Sequence, residues 1–197
     1  MPQGTYTIRE VLTEAQQRVF RSLEGVNTVT EGFRITEENA SAGFVFSIEN
    51  ALKRGTVRVA KRFPEGAAYS GVRLAGFLFR LHGTSDAGTA VDVALVTDAE
   101  GKASAEGIPY GTYTVEEVLT EAQARYWVSK SAGTVVVSDE TPDVTYTLEN
   151  EQRTGGVRIQ KSLPGDAFYA GVIMEGIRFH LYGTTELGSS GDLILVT

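Results

Sequence analysis

Three polar side chains stand at the ends of apolar stripes. Lys61 follows Val57 and Val59 at two-residue spacing, Glu117 follows Tyr113 and Val115, and Asn150 follows Val144, Tyr146 and Leu148. Side chains two apart on a strand share a face, so all three point toward the apolar interior. Desolvation penalises charge, which drives a buried amine and a buried carboxyl toward their neutral forms. A neutral amine is a nucleophile. Held against the carboxamide carbon of Asn150, the Lys61 amine attacks without a bimolecular encounter and gives a tetrahedral intermediate. A protonated Glu117 would hydrogen-bond the amide oxygen, stabilise the developing oxyanion and shuttle the proton that lets ammonia leave. The product is a Lys–Asn isopeptide bond, made once. Two plainer readings stay open at this point: strand ends whose polar tips snorkel out, and a buried Lys–Glu salt bridge with a hydrogen-bonded Asn.

The pattern recurs twice elsewhere, in pieces. Val157, Ile159 and Lys161 repeat the lysine stripe, Tyr6, Ile8 and Glu10 the glutamate stripe, and Phe44, Phe46, Ile48 and Asn50 the asparagine stripe. On the opposite, wet face the residues drift, with Arg9 standing where Glu116 does.

Other chemistries fit less well. Glu116 and Glu117 are neighbours on one strand and face opposite sides, which is wrong for paired carboxylates flanking a glycosidic bond. His82 and His180 fall on the wet face and read as surface imidazoles. The chain has no cysteine, which excludes disulfides, thiol nucleophiles and cysteine-ligated metals, and no metal or cofactor site is expected. It leaves the redox compartment open. With 18 basic and 25 acidic residues the net charge is −7, so the broad positive field that holds nucleic acid is missing. No stretch approaches the ~20 apolar residues of a membrane span, and no membrane insertion is expected.

The elements that must position the three residues read as all-β. Short alternating runs rich in Val, Ile, Thr, Tyr and Phe occur at 55–61, 76–82, 91–97, 102–106, 111–118, 125–129, 133–138 and 143–150, with Gly, Pro, Asp and Ser punctuation between them. About seven short strands in about 100 residues fit a β-sandwich. The segment Leu119–Arg125 reads as a single helical turn in a loop.

Self-comparison organises the 197 residues. Residues 54–97 match 154–197 without a gap, with roughly 19 of 44 positions identical. Gly4-Thr5-Tyr6-Thr7 matches Gly111-Thr112-Tyr113-Thr114, the run Glu-Val-Leu-Thr-Glu-Ala-Gln is shared by 10–16 and 117–123, and Ile48-Glu49-Asn50 matches Leu148-Glu149-Asn150. The order is a back half (1–53), a complete module (54–152) and a front half (153–197), as in a piece of a longer tandem array. In the competing arrangement, the front half of one protomer is completed by the back half of a neighbouring copy into a covalent fibre.

The segment Gly107-Ile108-Pro109-Tyr110-Gly111-Thr112-Tyr113-Thr114-Val115-Glu116-Glu117 resembles the Gly-x-Tyr-x-x-x-Glu signature of Cna B-type, or SpaA-like, domains of Gram-positive surface proteins and pilins. Supporting pieces are the opening strand ending in Lys61, Gly76-Phe77-Leu78-Phe79-Arg80-Leu81, Thr97-Asp98-Ala99-Glu100-Gly101-Lys102, and the closing strand ending in Asn150. The resemblance implies a Greek-key, prealbumin-like (reverse immunoglobulin-like) β-sandwich. It also implies an autocatalytic isopeptide bond with Lys61 as amine donor, Asn150 as acceptor and Glu117 as catalyst. Glu10, Asn50 and Lys161 hold the equivalent positions in the half-modules. The role implied is a stalk or spacer of an adhesin or pilus on the bacterial cell surface or cell wall. Its partners would be neighbouring repeats of the same protein. The family often follows its glutamate with a proline and a Gly-Tyr pair, where this chain has Val118 to Tyr126. No Leu-Pro-x-Thr-Gly sorting signal is present, so wall attachment would come from other parts. The alternative role is a ligand- or glycan-binding sandwich using loops 83–91 or 25–43. Neither loop carries an aromatic cluster, and Trp127 reads as core.

Overall fold

The computed structural model describes residues 1–22, 32–66, 69, 71–165 and 167–197. Of the loop 25–43, residues 25–31 lie outside the described residues. In chain order the elements are β1 (Gly4–Tyr6), α1 (Glu14–Val19), β2 (Phe20–Ser22), β3 (Phe33–Ile35), β4 (Asn50–Leu52), β5 (Arg54–Arg62), β6 (Leu78–Ser85), β7 (Ala90–Val96), β8 (Lys102–Pro109), β9 (Gly111–Val118), α2 (Glu121–Tyr126), β10 (Gly133–Val137), β11 (Asp143–Glu149), a 3-10 turn (Ala167–Tyr169), β12 (Arg178–Thr184) and β13 (Ser190–Val196).

Strands β5 to β11 make a two-sheet sandwich. One sheet has the order β11-β5-β8 and the other β10-β9-β6-β7. All pairings are antiparallel except β11 with β5, the first and last strands, which run parallel in the register Val57↔Val144, Val59↔Tyr146 and Lys61↔Leu148. Alternation along β5, β6, β9 and β10 sends Val57, Val59, Phe79, Leu81, Tyr113, Val115, Val135 and Val137 into the space between the sheets, where all are buried. Each such side chain contributes about 1.5–3 kcal/mol by leaving water.

At the start of β5 the ladder to β8 shifts register between Gly55 and Val57. Gly55 sits so close to the preceding segment of β11 that a Cβ would lie 2.0 Å from the Pro142 carbonyl oxygen. That carbonyl accepts from the Thr56 N–H at 2.8 Å.

Two expected features come out differently. Residues 125–129 are not a strand: Arg125 and Tyr126 end α2, and Trp127 makes only an isolated bridge to Gln152. The helix forms because Thr120 and Gln123 make a capping box, the Thr120 hydroxyl accepting from the Gln123 N–H. Arg153 then closes its other end, with Nε donating to the carbonyls of Ala124 and Trp127. The lysine and asparagine stripes of the half-modules are not strands either. Residues 153–164 carry no strand, and of 44–50 only Asn50 does, as the first residue of β4. In the central module those two segments correspond to β5 and β11, which pair with each other; here neither has that neighbour, so its backbone groups have no ladder to join.

Candidate functional site

Lys61, Glu117 and Asn150 meet in the sandwich interior. Lys61 lies at the end of β5, Glu117 near the end of β9 and Asn150 one residue beyond β11, and they are 1%, 9% and 0% exposed. Three elements from two sheets deliver them. The parallel pairing of β5 and β11 brings the lysine and asparagine to the same end of one sheet, and β9 brings the glutamate across from the other. Glu117 faces inward while Glu116 faces the wet side. There Glu116 lies 3.7 Å from Arg80 and 3.5 Å from His82, and Arg80 also clasps Asp92 with two hydrogen bonds.

The glutamate bridges its partners. Its Oε1 lies 3.4 Å from Lys61 Nζ, with both side chains fully buried, and its Oε2 accepts a 2.6 Å hydrogen bond from Asn150 Nδ2. From the sequence Glu117 was expected at the amide oxygen; in this structure the carboxylate meets the amide nitrogen. Glu117 Oε1 and Asn150 Oδ1 are buried without a hydrogen-bond partner among the described residues. Lys61 Nζ donates one hydrogen bond besides, to the Arg62 carbonyl at 3.5 Å. The snorkelled strand end does not apply, since none of the three side chains reaches water.

Burial pushes the Lys61 amine below its ordinary pKa, against the pull of the Glu117 carboxylate and, more weakly, of Glu149. Two aromatic rings lie against the amine, Phe63 with its centroid at 4.7 Å and Phe77 at 4.9 Å. Phe63 is itself stacked on Trp127 at 4.2 Å. The sequence reading placed Trp127 in the core, where it is, but missed Phe63 and Phe77 as walls of the site. The signal for Phe63 was available, because it lies two residues beyond Lys61 on the same stripe.

Tyr113, the aromatic of the glycine–tyrosine signature, is a positioning element. Its ring is buried under β9 and its hydroxyl donates to the Pro109 carbonyl at 2.7 Å, tying β9 to the end of β8. Gly111 is required for this arrangement: a Cβ there would meet Ser85 Cα at 2.9 Å and the Tyr113 hydroxyl at 3.1 Å. Tyr6 repeats the device, donating to the Pro2 carbonyl at 2.6 Å.

The half-modules hold partial copies of the site. Asn50 Nδ2 donates to Glu10 Oε1 at 2.6 Å, as Asn150 does to Glu117. Lys161 is exposed on residues 153–164, and the structure does not bring it to that pair. Among the described residues no group of three or more His, Asp or Glu side chains could hold a metal ion, and no helix is long and apolar enough to cross a membrane.

Residues 67–152 match the family described as SpaA: Prealbumin-like fold domain. Residues 67–152 are thus a SpaA-like prealbumin-fold segment. Among solved structures, the chain is similar to BcpA, the major pilin subunit of Bacillus cereus, at 22% identity and a TM-score of 0.38, covering 54% of this chain and 33% of that one. It is similar to GBS52, the minor pilin of Streptococcus agalactiae, at 19% identity and a TM-score of 0.41, covering 66% and 57%. It is also similar to the full-length major pilin SpaD from Corynebacterium diphtheriae, at 19% identity and a TM-score of 0.37, covering 50% and 30%. This chain therefore spans between about a third and three fifths of their lengths. A comparison with curated proteins finds no match.

Proposed function

We propose that the chain is a structural stalk or spacer segment of a bacterial surface protein or pilus, whose central module locks itself with an isopeptide bond between Lys61 and Asn150. The observation that carries the reading is the Glu117 carboxyl group buried between an amine and a carboxamide. A salt bridge alone explains the amine and the acid, but not an asparagine buried against the same carboxyl with its carbonyl oxygen unpaired.

Starting from the ammonium, the reaction needs two protons to leave Lys61 Nζ, one before attack and one after it, and one proton to reach the departing nitrogen. Glu117 touches both atoms: Oε1 faces the amine and Oε2 faces Asn150 Nδ2. Transfer of a proton from Nζ to the carboxylate leaves a neutral amine beside a neutral acid, a change that the dry surroundings favour. The Nζ lone pair then forms a bond to Asn150 Cγ, and the C=O electrons move onto Oδ1. A half-turn of the carboxamide brings Oδ1 to Glu117, where the protonated carboxyl can donate to the oxyanion. The reverse turn returns Nδ2 to Glu117; collapse of the intermediate then breaks Cγ–Nδ2 as the carboxyl hands its proton to that nitrogen, ammonia leaves, and the carboxylate takes the second Nζ proton to give the neutral secondary amide. The balance is amine plus primary amide giving secondary amide plus ammonia. Phe63 and Phe77 hold the amine in place and keep water from competing.

The test is the intact mass of the denatured protein beside Glu117→Ala. A bond in the wild type lowers its mass by about 17 Da for the lost ammonia, and the variant keeps the full sequence mass. Full mass in both overturns the reaction and leaves a hydrogen-bonded ion pair. The module joins neighbouring repeats of the same protein in series, and the cell surface is its site of action.

A further inference from the structure

We infer that the end of α2 is a docking surface that selects the repeat following it and holds that repeat at a fixed angle. The element it takes is a hairpin tip carrying a carboxylate and then an apolar side chain. The inference concerns how successive repeats of the proposed stalk are ordered, and it does not require the Lys61–Asn150 bond.

The tip is residues 185–189, between β12 and β13. It is a closed turn. The Thr185 N–H donates to the Ser189 carbonyl at 2.8 Å, the Gly188 N–H to the Thr185 carbonyl at 2.9 Å, and the Ser189 N–H to Thr185 Oγ1 at 3.1 Å. Gly188 takes a φ of +86°, which favours glycine there. Tyr126, the last residue of α2, donates its hydroxyl to Glu186 Oε2 at 2.6 Å. That bond pushes the phenol above its ordinary pKa and so keeps it a donor. Leu187 is half-buried against the core and lines one cleft with Val72, Phe77, Tyr126 and Trp127. Phe77 also walls the Lys61 amine, and Trp127 stacks on Phe63. The tip therefore seats on rings that enclose the central site.

The chain reaches the same helix end from the other direction. Arg153, three residues beyond Asn150, donates its backbone N–H to the Tyr126 carbonyl at 2.7 Å. Its Nε donates to the carbonyls of Ala124 and Trp127 at 3.0 and 3.2 Å. Modules that share little surface move relative to one another on a single linker. Here linker and tip grip one helix end at two points, which fixes an angle.

The internal repeat shows that helix end and tip change together. α1 has the capping box and the length of α2 but ends in Val19 instead of Tyr126. The tip between β6 and β7 carries Asp86-Ala87 in place of Glu186-Leu187. A valine offers no hydroxyl to a carboxylate, and an alanine fills little of a cleft. That junction is tied instead by Lys53, whose Nζ lies 2.7 Å from Asp139 with both side chains partly exposed. Different chemistry at the two junctions gives order, because an Asp-Ala tip has neither the reach nor the bulk to seat on Tyr126.

The test is a distance measurement by pulsed electron resonance on the full chain. The chain has no cysteine, so Thr112→Cys on β9 and Arg178→Cys at the start of β12, both exposed, carry two nitroxide labels. The labelled chain should give one narrow distance distribution. Tyr126→Val and E186D/L187A should each replace it with a broad one, and Leu187→Met should keep it. The broadening variants carry residues that the other helix and hairpin of this chain already bear, so both elements are retained. A broad distribution in the otherwise unchanged chain overturns the inference. A narrow one in both variants also overturns it, because the linker alone would then set the angle. Intact mass of the same samples scores the central bond separately. A loss of about 17 Da with a broad distribution removes the docking and leaves the bond, and full mass with a narrow one does the reverse.

Discussion

Lys61 is held between opposing influences. Burial favours its neutral form, whereas Glu117 and the faces of Phe63 and Phe77 favour the ammonium. Replacing Glu117 with Gln removes the largest of the favourable charges and blocks the bond, leaving a desolvated lysine with a pKa further below its unfolded value. In such a protein the unfolded state binds more protons than the folded one between the two pKa values, so stability rises with pH across that window. As the pH rises toward the unfolded-state lysine pKa, the unfolding free energy of Glu117→Gln from urea titration should climb toward that of Lys61→Met/Glu117→Gln, by at most about 1.4 kcal/mol per pH unit. Parallel profiles for the two proteins would mean that the amine is solvated. Tyr113 and Tyr146 have raised pKa values through burial, so their ionisation falls above this range.

At the scale of elements, the proposed reaction depends on register. A one-residue slip of β11 against β5 would turn Asn150 to the opposite face. The register starts at Gly55, where the absence of a side chain lets the Pro142 carbonyl approach and accept from Thr56. Gly55→Ala should therefore slow bond formation, read as the time course of the mass loss after refolding. It should also lower the urea midpoint by about 1–3 kcal/mol through overpacking. Gly156→Ala, where a Cβ meets nothing within 4 Å, serves as the control and should leave both unchanged. Equal rates in the two variants would show that β11 finds its register without this contact.

For the whole molecule, the site's position on the first and last strands decides the path of force. With Lys61 joined to Asn150, tension applied at residues 54 and 152 passes from β5 through the new amide to the end of β11 and bypasses the chain between them. In single-molecule stretching the wild-type module should not release that segment. Glu117→Ala should release roughly 300 Å of it, at about 3.4 Å per residue. Release from the wild type at the same force would show the bond absent or off the load path. The bond would also restrict the unfolded chain as a disulfide does, and needs no oxidant.

Period-two alternation is local, so the faces of β5, β9 and β11 and the inward Lys61, Glu117 and Asn150 were legible from residue types alone. The internal repeat strengthened them, because the same polar groups end the same stripes at Glu10, Asn50 and Lys161. The helix over Glu121–Tyr126 was half legible. The Thr120–Gln123 capping box is a local signal, but the β-prone Tyr126 and Trp127 pointed to a strand, and the Trp127 bridge and the Arg153 contacts that decide against it come from distant chain. Only the tertiary structure decided that the lysine is walled by Phe63 and Phe77 and that Glu117 meets the amide nitrogen. It also decided that the stripes at 44–49 and 157–161 are not strands. A strand's ladder is completed by a neighbour, and alternation along one segment carries no information about whether that neighbour is there.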